Sequence, residues 1–366
     1  MSNYYNPVKV IKTDSWADEC INAQKFLGIQ NPLIVTSKGT FKRNNLFSVF
    51  SSTSMFCDIK PDPTFESCQN AIEFSNSSKF DGVIAIGGGS VMDTGKAVLA
   101  SIGTGICNFI DLLIVTKPYV YKVPSIFIPT THGTGSEVTM WGTIWNTEEK
   151  KKYSISHPDL YPNVAILDGN ITSKLPLDIS VATALDALSH SFEAIWNKNA
   201  NPKSTNYAIE AICLILTNIE KLKSDPHNIG LRNILLKAAN LAGLAFSNTK
   251  TAAAHSISYP LTSHYGIPHG IASSLPLIPL LHINKKYIIK ELNLIIDKLK
   301  ISNVPELELK IKDIPKGLVK YSLFEWGVKK NEIDLIAPEC FTKSRMENNI
   351  VQLSLPQVRS ILFDIF

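Results

Sequence analysis

The chain has 366 residues, 45% hydrophobic and 19% charged, enough apolar length to bury the cores of about two domains. Its net charge of +4 is small and scattered, which argues against a nucleic-acid groove. Six widely spaced cysteines without a CxxC pair argue against a disulfide scaffold or a thiolate zinc site. No basic-then-apolar leader opens the sequence and no apolar run approaches the ~20 residues that span a bilayer. The expectation is a soluble, cytoplasmic protein with no nucleic-acid or membrane partner.

Short apolar runs, each followed by turn residues and a helix-like stretch, fill the chain up to Asp168-Gly169-Asn170. Strands are predicted over 31–36, 81–86 and 123–128. Near-continuous apolar strands are what a parallel sheet covered by helices on both faces requires, so this part reads as an α/β domain.

Two turns after these strands carry ligand chemistry. In the first, Gly87-Gly88-Gly89-Ser90 follows a strand and opens a helix that holds Asp93 and Lys96. Glycines let the backbone approach a phosphate, and the free N–H groups of a helix start supply the positive end of a dipole. The segment is neither GxGxxG nor a P-loop: Gly89 to Gly95 is one residue too long, and Ala97 follows the lysine. A tight strand-to-helix turn without ligand has the same signature. The second turn runs from Pro129-Thr130-Thr131-His132 to Val138-Thr139, again after a strand, where open α/β folds bind nucleotides. Two such turns in one domain favour a nucleotide.

The texture changes near residue 173. Helical periodicity dominates over 178–197, 203–223, 229–246 and 251–258, with weaker helices to the carboxyl end. The domains are therefore placed at 1–173 and 174–366. Lysine-rich stretches at 285–300 and 309–320 read as solvated helix faces. Within the helical part, Asp186 and His190 share a helix face at i and i+4, and His255 and His269 follow among small apolar residues. Each histidine alone suits an ordinary hydrogen-bonded role. Together, one carboxylate and three imidazoles suit Fe(II), Zn(II) or Mn(II), and the absence of HExxH argues against a metalloprotease. A divalent ion beside a nucleotide can polarise a carbonyl during hydride transfer.

Four segments carry a resemblance: GGGS with Asp93 and Lys96 at 87–96, PTT-x-GTGSEVT at 129–139, DALSH-x-x-EA at 186–194, and His255 followed by PHG at 268–270. In this order and spacing they are similar to the group III, iron-dependent alcohol dehydrogenase family, over nearly the whole chain. The resemblance implies a Rossmann-like dinucleotide-binding α/β domain, an all-α metal-binding domain in a dehydroquinate-synthase-like architecture, and a catalytic cleft between them. It implies Asp186, His190, His255 and His269 as ligands of Fe(II), with Zn and Mn as alternatives. For NAD(P)H it implies Gly87, Gly88, Gly89 and Ser90 at the diphosphate with Asp93 nearby. Thr130, Thr131 and Thr139 then face the nicotinamide half, with Lys152 near a ribose. A homodimer is the expected assembly.

Three positions depart from that pattern. Ser37, followed by Lys38, stands where many NAD-preferring members carry Asp, so a reason to exclude NADP is missing. Tyr259 replaces a histidine near the substrate, a phenol that can relay a proton as a much weaker acid. His132 replaces a small residue and is expected to narrow or charge its turn.

The stretches WNKNANP at 196–202 and NTKTAAAHSISYPLT at 248–262 resemble the branch that reduces phosphonoacetaldehyde to 2-hydroxyethylphosphonate. Lys198 and Lys250 are then the candidate contacts to the anionic group. The expected activity is metal-dependent NAD(P)H-linked reduction of an aldehyde to a primary alcohol. A lactaldehyde or short-chain alcohol dehydrogenase, and a dehydroquinate-synthase-like lyase, are the rivals.

Overall fold

The structure, a computed structural model, describes residues 4–50, 54–114 and 118–366. The first three residues of the amino-terminal stretch inspected for a leader lie outside the described residues. The chain forms two compact units. One comprises Asn6–Thr131 and Gly135–Lys174; the other comprises Leu175–Phe366 together with His132–Thr134 and residues 4 and 5.

The first unit is an α/β layer structure. Strands β1 (Lys9–Lys12), β2 (Pro32–Thr36), β3 (Met55–Phe56), β4 (Gly82–Gly87), β5 (Ser125–Pro129) and β8 (Val164–Leu167) form a parallel sheet in the order β1-β8-β5-β4-β2-β3. A β-strand sends alternate side chains to opposite faces. Here both faces are buried: Leu33, Val35, Val83 and Ala85 enter one core, Ile34, Ile84 and Ile86 the other. That double burial is why these strands read as continuous apolar runs rather than alternating ones. Fully burying each such side chain contributes about 1.5–3 kcal/mol.

Helices α1 (Trp16–Leu27), α2 (Lys38–Asn44), α3 (Phe65–Ser75), α4 (Gly89–Thr104) and α5 (Phe109–Leu113) connect the strands. The predicted strands correspond to β2, β4 and β5; β1, β3, β8 and an antiparallel hairpin were not predicted. Trp141–Asn146 (β6) and Lys151–Ser156 (β7) pair antiparallel as a separate hairpin, in which Ile155 is the buried residue of an otherwise exposed or half-buried β7.

The second unit is helical: α6 (Leu177–Ile195), α7 (Pro202–Ser224), α8 (Ile229–Thr249), α9 (Ala253–Tyr265), α10 (His269–Ser274), α11 (Leu277–Asn284), α12 (Ile289–Leu299), α13 (Val304–Asp313), α14 (Ile333–Ile336) and α15 (Leu355–Asp364). Asn201 caps α7: its side chain accepts from Ser204 N, with Pro202 at the first helical position. The predicted helix over 251–258 is longer than expected. It continues through Pro260, which removes one intrahelical hydrogen bond without ending the helix.

By length and composition, α8 alone among the described residues could cross a membrane, where the sequence reading expected no such run. It packs on α6 and α7 instead and buries Arg232. That guanidinium donates to Ser180 Oγ at 2.8 Å and to the Leu175 carbonyl at 2.9 Å, tying α8 to the start of α6. In the lysine-rich stretch, Leu292 and Ile295 face inward while Lys285, Lys290 and Lys298 are exposed, which is the solvated face expected of them.

Candidate active site

In the sheet unit, the chain leaves β2 toward β3 on one side and leaves β4 toward β5 on the other. The crevice at the carboxyl ends of β2 and β4 is therefore the topological switch point, where open α/β sheets bind ligands. Both predicted cofactor segments open there. Thr36 pairs with Ile86, Ser37 caps α2 by accepting from Thr40 N, and Gly88 caps α4. The second turn lies against the first. Thr130 N donates to the Gly87 carbonyl at 3.0 Å, and a Cβ on Gly88 would meet Thr131 Cγ2 at 3.1 Å. Gly87 is tighter still, since a Cβ would stand 2.5 Å from Val91. These glycines are required by close approach.

The remaining predicted cofactor residues are held by protein atoms. Ser90 Oγ accepts from Asp62 N at 3.1 Å. Asp93 accepts from Ser136 Oγ at 2.8 Å and from Thr143 N at 3.1 Å. Thr139 Oγ1 accepts from the Lys96 ammonium at 2.7 Å. The Lys152 ammonium lies 4.6 Å from the Trp145 ring centre. Lys38, beside Ser37, is paired with Asp58 at 2.7 Å on the surface.

The helical unit gathers the predicted metal donors. One ligand atom each from Asp186, His255 and His269 lie within 4.8 Å of one another. His190 Nδ1 is 3.9 Å from Asp186 Oδ2, and its ring stacks between Phe246 and His255, with centroids 4.1 and 4.4 Å away. Helix α6 is buried from Ala184 to Ile195, so Asp186 and His190 are presented from a buried face. His255 is the third residue of α9, and His269 opens α10. Gly270 makes that position reachable: a Cβ there would sit 2.2 Å from the Ala182 carbonyl.

Glu193, whose role the sequence reading missed, completes the pocket. Its carboxylate accepts from His255 N at 3.1 Å and lies 2.5 Å from His255 Nδ1. Asp186, His190 and Glu193 fall at i, i+4 and i+7, one face of α6. A carboxylate inside the apolar Phe192–Ile195 run was the available signal.

The electrostatics call for a cation. Two carboxylates, Asp186 and Glu193, are buried together. Burial alone would raise both, yet the facing imidazoles, and for Glu193 backbone N–H groups as well, hold them below the ordinary carboxylate range. Burial would likewise lower His255, but Glu193 and Asp186 reverse this and hold it up at about 9. Burial drives His190 down to about 4, leaving a neutral imidazole with a free lone pair. His190 Nδ1 and His255 Nε2 are buried with no hydrogen-bond partner; Asp186 Oδ1 is 3.6 Å from the latter, beyond bonding range. Unpaired buried nitrogens around a carboxylate cost free energy unless an ion occupies the space between them. The donor set fits a hard-to-borderline divalent metal.

Other predicted positions lie elsewhere or act differently. Tyr259 is half-buried one turn after His255, its ring 6.4 Å from His269. His132 brings no charge: it is buried, its ring nitrogens have no partner, and burial with Arg232 nearby pushes it down to about 3. Lys198 is exposed, and its ammonium donates to the Glu347 carbonyl at 2.7 Å. Lys250 is exposed at the end of α8.

The asparagines of WNKNANP do structural work around that lysine. Asn199, Asn197 and Asn348 donate side-chain amide hydrogens to the successive carbonyls of Thr249, Lys250 and Thr251, at 3.4, 3.1 and 2.8 Å. Between them Lys250 adopts φ 65° and ψ 176°, a region that glycine alone occupies without strain. Lys250→Gly is therefore expected to stabilise the protein by roughly 1 kcal/mol, measured by denaturant unfolding. An unchanged or lower stability would show that the conformation costs nothing.

The chain thus combines a parallel α/β sheet unit with glycine turns at its switch point and a helical unit with a carboxylate–imidazole cluster. Residues 7–169 match the iron-containing alcohol dehydrogenase family, and residues 180–366 match the carboxyl-terminal part of the Fe-containing alcohol dehydrogenase family. The chain belongs to the iron-containing alcohol dehydrogenase family and is an oxidoreductase of that kind. It is 34% identical over 269 residues to long-chain-alcohol dehydrogenase 1 of Geobacillus thermodenitrificans, covering 71% of this chain and 68% of that one. It is 31% identical over 284 residues to the NAD-dependent methanol dehydrogenase of Bacillus methanolicus, covering 75% and 74%. Among solved structures it is similar to sulfoacetaldehyde reductase from Bifidobacterium kashiwanohense in complex with NAD+. That match has a TM-score of 0.90 and 27% identity, over 100% of this chain and 98% of that one.

Proposed function

We propose that this protein reduces an anionic two-carbon aldehyde to its alcohol with NADH or NADPH and Fe(II), phosphonoacetaldehyde being the specific candidate. The observation that carries the metal-dependent reaction is the convergence of Asp186, His255 and His269 beside the unpaired His190 Nδ1. When bound, the ion supplies Lewis acidity that stabilises negative charge developing on a carbonyl oxygen. Asp186 and the three histidines would hold it. Glu193 holds the His255 proton on Nδ1, which would leave Nε2, once deprotonated, as the ligand atom. The buried walls of α6 exclude water, and Tyr259, next to His269, is the group offered for proton delivery.

Similarity to a protein named for sulfoacetaldehyde supports an anionic substrate. Lys198 and Lys250 are the proposed contacts to its anionic group, and Ser37 in place of an acidic residue leaves room for a 2′-phosphate. A neutral alcohol is the second reading, favoured by the higher identity to relatives named for long-chain alcohols and methanol. A lyase is not favoured, since the matched family and these relatives are dehydrogenases. Six unpaired cysteines support a cytoplasmic setting, and a homodimer is part of the same proposal.

The test is NADH and NADPH oxidation by Fe(II)-reconstituted enzyme with phosphonoacetaldehyde, sulfoacetaldehyde, lactaldehyde and propanal. The expected result is a kcat/KM at least about tenfold higher for the anionic aldehydes, equivalent to about 1.4 kcal/mol. Lys198→Gln and Lys250→Gln are expected to raise KM for those substrates alone. Equal or better turnover of the neutral aldehydes would replace the anionic reading with the neutral one.

A further inference from the structure

Lys96 is a fully buried lysine two turns into α4, the helix that opens at the glycine turn. Its ammonium is within 2.7–2.8 Å of four oxygens: the Ser136 carbonyl, Ser136 Oγ, Thr139 Oγ1 and the Trp141 carbonyl. An ammonium has three hydrogens, so four acceptors saturate it. One turn earlier on the same face, Asp93 accepts from Ser136 Oγ and Thr143 N. The β6 strand comes so close that a Cβ on Gly142 would lie 3.0 Å from the Asp93 carbonyl and 3.4 Å from Lys96 Cβ.

Burying a lysine is costly unless its charge is fully solvated by protein groups. Burial lowers this one to about 8, while Asp93 and Glu137 hold it from falling further. All four acceptors come from one segment, Ser136–Trp141, which ends in the first residue of β6. The segment contains Thr139, predicted to face the nicotinamide half of the cofactor.

We propose that Lys96, assisted by Asp93, is a positioning residue for the dinucleotide, fixing the Ser136–Trp141 segment to the helix that starts at the glycine turn. Its ammonium is taken up by protein oxygens, so its action runs through the segment it holds. It holds Thr139 and its neighbours in the binding shape before the cofactor arrives, so its loss is felt as weaker binding rather than slower chemistry. The proposal rests on the reading of Gly87–Ser90 as the cofactor turn.

The test compares wild type, Lys96→Met and Ser136→Ala, all metal-loaded, by NADH fluorescence titration and steady-state kinetics. Met keeps the length and apolar stem and removes the charge. The expected result is an NADH Kd and cofactor KM at least tenfold higher in Lys96→Met, with kcat at saturating NADH within twofold and metal content unchanged. Ser136→Ala, which leaves the carbonyl contact in place, is expected to raise Kd by about threefold, and it carries the test if Lys96→Met does not fold. A Kd within twofold of wild type in the folded Met variant, or in Ser136→Ala when that variant stands alone, overturns the proposal. So does a fall in kcat and metal content without a change in Kd. Failure of wild type itself to bind NADH or NADPH overturns the cofactor-turn reading, and this proposal with it.

Discussion

Asp186→Asn is expected to leave the protein folded and almost without metal, and to lower turnover on the order of a thousandfold. The substitution keeps the volume and still offers an oxygen to the Ser273 hydroxyl, 3.0 Å away. What it removes is one of two buried negative charges facing three imidazoles. A divalent ion held by neutral ligands alone, with only Glu193 behind them, would lose its charge balance among buried groups. Loss of Lewis-acid stabilisation worth about 4 kcal/mol corresponds to that thousandfold change. Metal analysis after reconstitution and desalting, alongside kcat, measures both effects. Wild-type metal content with wild-type turnover would mean that Asp186 is not a ligand.

Glu193→Gln is expected to weaken metal affinity by about 10–100-fold without altering any residue that reaches the ion. The carboxylate receives two N–H groups of one residue, the backbone and the Nδ1 of His255. Glutamine offers one oxygen and one NH2, so a donor must face a donor at one of the two positions. The His255 ring then loses either its tautomer or its anchor. Competition with a chromophoric chelator reads the affinity directly. Unaltered affinity would reduce Glu193 to a packing role.

The two proposals concern one helix, and α6 also shows how far a sequence can be read. Asp186 and His190 were legible because ionisable groups are rare in apolar helices and stand on one face. Glu193 lies on that face as well, but its task depends on His255, 62 residues away, and no local pattern records such a pairing. Strands β2, β4 and β5 were legible because burial on both faces writes itself as an unbroken apolar run, whereas the half-exposed β1 and the two-residue β3 carry no such signal. The β6–β7 hairpin was not, because its exposed side and polar turn resemble a loop. Helix α9 was cut short in the reading because Pro260 normally ends a helix; packing of the surrounding buried residues overrides that local preference. The polar string WNKNANP looked like a substrate pocket, whereas three distant backbone carbonyls consume its amides and that of Asn348. Lys96 was visible as part of a motif, yet its four acceptors come from a segment 40–45 residues further on.

The central claim is that the pocket of Asp186, His190, His255 and His269 holds the divalent ion on which turnover depends. The most direct measurement is an anaerobic titration of chelator-stripped protein with Fe(II), following aldehyde-dependent NAD(P)H oxidation and bound metal together. The account predicts negligible activity in the stripped protein and recovery in proportion to bound iron, saturating at about a single ion per chain. Stripped protein that retains full turnover, or activity that returns without bound metal, would contradict it.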